Sequence, residues 1–303
     1  HDGDTREKEK FSESIYIRRF KLLTKKLPRK RFFQHIKYAE LIVRILVFFC
    51  FKTVSIVQSH SLIPLPASVL LKMFKRAYLI YDAHELESAK NGCSESQNKK
   101  HFSIEKKLLP KINEVLVVSE SIGEWYCTHH TIKNLTVVKN IPEFLTSFSQ
   151  GKDYFHQNFA IPSESLVFIY QGAFFYGRGI PIILDAFAQM PEKHIIFMGY
   201  GELAKIIHSY SLKYPNIHFH PAVHPNEILS YTQSADIGIH IPENVCLSYY
   251  LSLPNKYFEY LASGIPVIVS NFPEMEKVTA KYDIGWSVNP DLNDLVSLIK
   301  KIR

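Results

Sequence analysis

The sequence predicts an α/β fold in which parallel strands are covered by helices on both faces. Short apolar, β-branched segments alternate with segments of helical periodicity from residue 53 to the end of the chain. That alternation is typical of parallel sheets wound right-handedly. The chain of 303 residues is long enough for one large or two medium domains. Its 46% hydrophobic and 21% charged residues are typical of a core-forming globular protein.

The first 52 residues stand outside this alternation. A polar segment at 1–13 precedes a strand that is expected near Ile15 and Ile17. A helix with a narrow polar stripe is expected at 32–51. The stripe fits two interpretations: a helix packed on a sheet, or an interfacial helix whose apolar face lies among lipid headgroups.

The remaining elements of the first half follow at the spacing of a parallel sheet. They are strands at 54–57, 77–81, 114–118 and 135–138, helices at 64–74, 101–109 and 120–126, and a polar loop at 90–100. Ser119 is expected to cap its helix, because a serine hydroxyl accepts from the free N–H groups of a first turn. The polar stretch at 146–163 is expected to link two domains, at 1–149 and 150–303.

The second half repeats the alternation more clearly. Its predicted strands lie at 166–170, 194–198, 217–220, 236–241, 266–269 and 284–288. Its predicted helices lie at 180–190, 225–234, 254–263, 273–280 and 292–302, and a further helix follows the glycine at 201 and ends near 213. In such sheets ligands bind beyond the carboxyl ends of the strands. This rule places His60, His84, Gly172, Gly199 and Gly201 on the functional edges.

The stretch SLPNKYFEYLASGIPVIVS at 252–270 carries the clearest site. Pro254 suits a first helical turn, and the free N–H groups of Asn255, Lys256 and Tyr257 would then meet an anion. Glu259 is either a solvated helix charge or a functional carboxylate beside that anion. Gly264 is expected to end the helix in a left-handed conformation, and the buried face is expected at Phe258, Leu261 and Ala262.

A second anion-binding segment is predicted between Gly172 and Gly179. Arg178 precedes a helix there, so close backbone approach, a helix start and a guanidinium coincide.

Neither the HDGD segment at 1–4 nor the DAHE segment at 82–85 has partners at zinc spacing, so no metal site is expected. The chain also has no GxxxxGK[ST] or GxSxG motif, which argues against P-loop ATPases and α/β-hydrolases.

Charge is unevenly distributed. Residues 1–150 hold 25 Lys and Arg against 15 Asp and Glu, a net charge of +10, and residues 151–303 hold 11 against 14, a net charge of −3. The excess is concentrated between Arg18 and Lys37, a stretch without acidic residues.

Four cysteines without metal-like spacing, no signal peptide and no long apolar run lead us to expect a cytoplasmic protein with reduced thiols.

Several segments together resemble the family 4 retaining glycosyltransferases. In the second half they are residues 168–187, 194–201, 231–241 and 253–274; in the first half they are QSH at 58–60, LIYDAHELES, INEVLVVSESIGEWY and VVKNIP. The resemblance covers about residues 50–303. It implies the GT-B fold, in which two Rossmann-like domains with parallel sheets face each other across a cleft.

The resemblance implies roles for individual residues. Glu259 matches the glutamate that binds the ribose hydroxyls of the nucleotide, and His84 matches the histidine at the reacting centre. Arg178 and Gly172 match the basic residue and the glycine of the loop that holds the donor diphosphate. The remaining matches are the phosphate-binding backbone of Asn255 and Lys256, a loop near the base at Gly199 and Gly201, and a glutamate after the following strand at Glu274.

The sequence departs from that family at two positions. Leu251 stands where many members have a glutamate that contacts the donor sugar, so the sugar stays unnamed. Phe174 stands where many members have a second basic residue, and Lys256 is the candidate to replace its charge. The resemblance further implies that a first strand and helix lie before His1 and closing helices lie after Arg303.

The implied reaction is transfer of a sugar from a nucleoside-diphosphate sugar to an acceptor hydroxyl, with retention at the anomeric carbon. His84, Arg178 and Lys256 are the expected catalytic residues, and no metal or other cofactor is expected. A polysaccharide or lipid-linked acceptor would meet the basic first half, at an anionic membrane surface on the inner face of the cell membrane. The alternatives are a GT-B nucleotide-sugar epimerase and a non-catalytic basic binding protein. Nucleic acid is not an expected partner, because few aromatic residues interleave the basic run.

Overall fold

The structure is a computed structural model that describes residues 8–10, 12–28, 30–143, 147 and 149–302. The HDGD segment and Arg29 of the basic stretch lie outside the described residues, as does most of 144–148 in the expected linker. The first described elements are β1 (Lys8–Lys10) and β2 (Tyr16–Arg18), which pair antiparallel. A 3-10 helix at Leu23–Lys26 leads to helix α1 (Arg31–Phe49).

The α1 helix does not pack on a sheet. Its main neighbours are the 3-10 helix Leu23–Lys26 and helix α2 (Leu65–Lys75). None of the side chains that the structure describes in α1 is buried, although most of them are apolar. The sheet-packed interpretation of this segment is therefore wrong for the described residues. No helix within the described ranges has the length and apolar character of a bilayer span.

A four-stranded parallel sheet follows, in the order β3-β4-β5-β6. Its elements are β3 (Ile56–His60), β4 (Tyr78–Ala83), α3 (Glu95–Leu108), β5 (Glu114–Val117), α4 (Glu120–His129) and β6 (Leu135–Val137). Ser119 caps α4 as predicted, because its hydroxyl accepts from the N–H of Ile122 at 3.3 Å. The core of this part packs Leu79, Tyr81 and Val115 of the strands against Leu65 and Ile122 of the helices.

Two predicted irregular segments contain helices. Residues 95–100 belong to α3 and not to a loop, because Ser94 and Gln97 form a capping box: the N–H of Ser94 donates to Gln97 Oε1 at 2.7 Å, and Ser94 Oγ accepts from the N–H of Gln97. The expected linker contains helix α5 (Tyr154–Asn158). It forms there because Phe155 is fully buried under the second sheet.

The second sheet has six parallel strands in the order β12-β11-β10-β7-β8-β9. Its strands are β7 (Val167–Ala173), β8 (His194–Tyr200), β9 (Ile217–Pro221), β10 (Ile237–His240), β11 (Val267–Ser270) and β12 (Gly285–Val288). Its helices are α6 (Ile180–Phe187), α7 (Ala204–Lys213), α8 (Ile228–Thr232), α9 (Leu247–Tyr250), α10 (Asn255–Ala262), α11 (Pro273–Tyr282) and α12 (Leu292–Lys301). The predicted α/β class with parallel sheets is confirmed.

Alternate residues of β7 enter separate cores on the two faces of this sheet. Phe168 and Tyr170 join one core, while Val167 and Ile169 join the other. A direct contact joins segments that follow strands of the two sheets: Ser119 Oγ, at the start of α4, donates to the carbonyl of Leu251, at the end of α9, at 2.8 Å. The carboxyl ends of both sheets therefore border a common cleft.

Candidate active site

A cavity of about 550 Å³ lies in the cleft, a size typical of small-molecule sites. The first half of the chain contributes His84, Glu85, Val118, Ile122 and Asn140 to its wall. The second half contributes the ends of β7, β8 and β10, the start of α10, and Arg178. Seven of the residues singled out in the sequence meet here: His84, Gly172, Arg178, Gly199, Asn255, Lys256 and Glu259.

Lys256 crosses the cavity floor from the start of α10 to the end of β7. Its Nζ lies 5.1 Å from the centroid of the Tyr170 ring. Gly172 makes this path available: with a φ of +100°, it would place a Cβ only 2.8 Å from Lys256 Cε. Burial, and then the nearby Arg178 guanidinium, lower the pKa of Lys256 to about 7. The amine is therefore close to its titration point at neutral pH.

Arg178 is the second cation of the site. It precedes Gly179, the N-cap of α6, and its guanidinium carbon lies 5.7 Å from the centroid of Phe175. Its Nε is buried and has no hydrogen-bond partner among the described residues. A buried donor of this kind is costly to leave unpaired, so the site is prepared to receive an acceptor such as a phosphate oxygen.

His240 was not predicted and also lies in this wall. It ends β10 and is buried, and its Nδ1 has no hydrogen bond in the part of the chain that the structure describes. Burial, followed by Lys256 and Arg178, lowers its pKa well below the usual value, so the ring is neutral. Its position at the carboxyl end of a parallel strand was the available signal, by the same rule that selected His84.

Glu259 is held by a chain of hydrogen bonds one helical turn into α10. Gln171 Nε2 donates to Glu259 Oε2 at 2.7 Å, and Thr232 Oγ1 donates to Gln171 Oε1. Because Gln171 is buried, this chain orients the carboxylate toward one side of the cavity. Glu259 is therefore a positioned acceptor and not a freely solvated helix charge.

The start of α10 differs from the prediction in three details. Pro254 is the N-cap and not the first helical residue. The N–H of Tyr257 donates to the carbonyl of Pro254 at 3.1 Å, so among the three proposed donors only Asn255 and Lys256 line the cavity. The buried side chains of the helix are Lys256, Tyr257, Phe258 and Tyr260; Leu261 and Ala262 are only half-buried. Gly264 follows with a φ of +78°, as predicted.

Gly201 and Glu274 do not reach this wall. A Cβ on Gly201 would meet the carbonyl oxygen of Phe174 at 2.4 Å, so this glycine allows two backbone segments to pack. The buried Glu274 carboxylate accepts from Ser121 across the cleft, from its N–H at 2.7 Å and from its hydroxyl at 2.8 Å. We correct both assignments: in the structure Gly201 is a packing residue, and Glu274 joins α11 to the start of α4.

His84 enters the cavity from the opposite sheet. It lies one residue beyond β4, and its ring stacks on that of His60 with centroids 5.3 Å apart. Asp82 lies between the two histidines at the same sheet edge. The histidine that the sequence singled out is thus part of a cluster of three polar side chains.

Comparison with known proteins gives a consistent result. Residues 151–303 match the model of the family described as "Glycosyl transferases group 1". The putative teichuronic acid biosynthesis glycosyltransferase TuaH of Bacillus subtilis (strain 168) is 23% identical over 247 residues, which cover 77% of this chain and 60% of that protein. The chain thus spans less than two thirds of the length of that relative.

Two solved structures share the architecture. Sucrose-phosphate synthase from Thermosynechococcus elongatus superimposes with a TM-score of 0.78 at 18% identity, covering 99% of this chain and 77% of that one. Anabaena HepE in complex with UDP-glucose gives a TM-score of 0.67 at 14% identity, covering 86% and 72%. These likenesses confirm the predicted GT-B architecture.

Proposed function

Because this chain belongs to the glycosyl transferases group 1 family, we propose that it transfers a sugar from a nucleoside-diphosphate sugar to an acceptor hydroxyl, with retention at the anomeric carbon. The observation that carries the proposal is the pairing of two cations, the half-buried Arg178 and the buried Lys256, with the oriented carboxylate Glu259 in one cavity. This charge pattern suits a diphosphate joined to a ribose. As part of the same proposal, we place this chain in family 4 of the retaining glycosyltransferases.

The two cations stabilise the negative charge of the departing diphosphate. Negative charge grows on the leaving oxygens as the bond to the sugar breaks, and fixed donors aimed at that charge lower the barrier. Arg178, Lys256 and the first N–H groups of α10 supply such donors in the cavity wall, between the places proposed for the ribose and the sugar. The proposed transfer therefore uses no metal or other cofactor.

The ribose and the sugar then occupy opposite ends of the cavity. Glu259 accepts hydrogen bonds from the ribose hydroxyls, with Gln171 holding its second oxygen. His84 contributes from the first sheet, where the donor sugar meets the acceptor. Gly199 lines the wall beside β7 and leaves room for the base.

Replacing Glu259 by alanine is expected to abolish most of the thermal stabilisation that a nucleoside diphosphate gives the protein. A charged hydrogen bond contributes about 1.5–3 kcal/mol, so the Kd should rise roughly 10- to 100-fold. Thermal unfolding scans with a panel of nucleoside diphosphates measure this. Glu276→Ala, at an exposed position on α11, is the matched control and should keep the shift. No shift of the parent protein with any nucleotide would contradict the donor site.

We further propose a polysaccharide or lipid-linked glycan as acceptor and an anionic membrane as the working surface, at the inner face of the cell membrane. An apolar groove between α1 and α2, lined by Leu46, Val47, Cys50, Leu70, Met73 and Phe74, supports this. Basic residues between Arg18 and Lys37 precede and begin α1, although some are engaged within the protein: Lys37 Nζ donates to the carbonyl of Leu27 at 2.7 Å. Apolar side chains beside basic ones favour an anionic bilayer.

Liposome sedimentation tests the membrane proposal. Vesicles containing phosphatidylserine should retain the protein more strongly than neutral vesicles. The double variant Val47→Asp and Phe74→Asp should weaken this binding about tenfold or more. Binding of the parent protein to the bilayer moves the apolar surface of both side chains out of water, and aspartate removes that favourable contribution. Leu212→Asp, at a residue of the second half that is 78% exposed, is the control. Equal partition into both vesicle types would contradict the proposal of an anionic membrane surface.

A further inference from the structure

Two histidines and an aspartate converge at the carboxyl edge of the first sheet. His60 and Asp82 are register partners on β3 and β4, and His84 follows Ala83, the last residue of β4. His60 Nδ1 lies 3.0 Å from Asp82 Oδ2 and 3.3 Å from His84 Nε2. His84 Nδ1 lies 3.7 Å from Asp82 Oδ1. One potential ligand atom of each residue therefore lies within 4.8 Å of the others.

These separations suit a transition-metal ion. Zinc binds histidine nitrogen and carboxylate oxygen at about 2.0–2.2 Å, which places neighbouring ligand atoms of a tetrahedron roughly 3.3–3.6 Å apart. His60 Nδ1 lies within a few tenths of an ångström of that edge length from both Asp82 Oδ2, at 3.0 Å, and His84 Nε2, at 3.3 Å. One ligand atom of each of the three residues lies within 4.8 Å of the others. Small side-chain rotations would bring the three atoms onto one ion.

The surroundings also match a metal site. Gln58 Nε2 donates to Asp82 Oδ2 at 3.0 Å, so the carboxylate is oriented by a neighbour that is not itself a ligand, as in many metal sites. The side chains of His60 and His84 are 59% and 51% exposed. An ion can enter from the cleft and keep water in its remaining position.

A second histidine pair in the chain shows what the cluster adds. His194 and His218 also stack, with Nδ1 and Nε2 3.1 Å apart, but no carboxylate of the described ranges completes that pair. Among the described residues, His60, Asp82 and His84 form the group of three whose ligand atoms lie close enough for one ion.

We propose that His60, Asp82 and His84 bind a divalent transition-metal ion with the preferences of Zn²⁺. The site is separate from the cations that hold the diphosphate. Because His84 also lines the cavity, an ion bound here would compete with the role that the proposed transfer gives this histidine.

The test titrates the metal-free full chain with Zn²⁺ by calorimetry and with Co²⁺ by visible absorption. We expect one ion per chain, and an affinity at least tenfold lower in His60→Ala and in Asp82→Asn. His218→Ala removes half of the other histidine pair and should leave binding unchanged. Circular dichroism checks that each variant is folded. Neither readout needs sugar transfer, so this test and the test of the transfer can fail separately.

Two results would overturn the proposal. Unchanged affinity in folded His60→Ala and Asp82→Asn would place the ion elsewhere. Thiolate-to-cobalt charge-transfer bands at the first equivalent would assign it to one of the free cysteines, of which Cys127 is exposed. Intense d–d absorption without such bands, lost in both variants, is the result that supports the site.

Discussion

Replacing Arg178 by alanine is expected to lower kcat for sugar transfer about 100- to 1000-fold, the usual effect of removing one donor that stabilises charge in a transition state. The side chain is half-buried beside the cavity, and its Nε is buried and unpaired among the described residues. Water cannot replace this Nε donor well, because the neighbouring Tyr170 ring is fully buried. The effect should appear mainly in kcat, since the charge on the leaving diphosphate grows along the reaction.

Steady-state kinetics that follow release of the nucleoside diphosphate measure this effect. Arg178→Lys should recover part of the rate, because it keeps the charge but loses the planar fork of donors. Lys205→Ala, on the exposed surface of α7, removes a cation of the same half and should leave the rate within twofold. A loss smaller than tenfold in Arg178→Ala would contradict the assigned role.

Binding of a nucleoside diphosphate at pH 8 is expected to take up close to one proton, at Lys256. Burial and the Arg178 guanidinium lower the pKa of Lys256 to about 7, while Glu259 opposes this shift. In the free protein the amine is therefore mostly neutral at pH 8 and mostly charged at pH 6. A bound diphosphate favours the charged form, so it raises this pKa and draws in about half a proton at pH 7 and close to one at pH 8.

The sign of the pH dependence follows from this linkage. Affinity should fall as pH rises from 7 to 9, by at most about tenfold per unit, because each binding event must then protonate the amine. The phosphate itself titrates near pH 6 and is fully ionised in this range. His240 faces the same cations but is held neutral, and Tyr170 stays protonated because burial raises its pKa.

Calorimetry in two buffers of different ionisation enthalpy counts the protons directly. Lys256→Met should bind the nucleotide more weakly and show no uptake at pH 8, while Lys205→Met should behave like the parent protein. Equal uptake in Lys256→Met and the parent would assign the proton to another group. Absence of uptake in the parent at pH 8 would show that its amine is already charged.

The α10 segment shows how much of the site local sequence could predict. A proline, a lysine and a glutamate at helical spacing indicated an anion at the helix start, and the structure brings Asn255, Lys256 and Glu259 to the cavity wall. The path of Lys256 past Gly172 could not be predicted, because it depends on how α10 packs over β7. The fully buried Tyr260 was missed for the same reason: its hydroxyl accepts from the N–H of Gln171 and donates to the carbonyl of Ile239.

The α1 segment shows the converse. Its apolar periodicity predicted a helix, and the helix is present at Arg31–Phe49. Periodicity does not identify the partner of an apolar face, and the described side chains of α1 remain unburied. The sheet-packed interpretation was wrong because burial depends on the neighbouring elements, which the pattern of a single helix does not contain.

The sequence by itself determined the α/β class, the order of nearly all strands and helices, and the glycines and caps that punctuate them. Those properties depend on apolar periodicity and backbone preferences over a few residues. Only the tertiary structure decided that His240 joins Arg178 and Lys256, that Glu274 binds Ser121 and not the cavity, and that His60, Asp82 and His84 converge. These contacts join segments far apart in the chain, so they depend on strand register and on the packing of one sheet against the other.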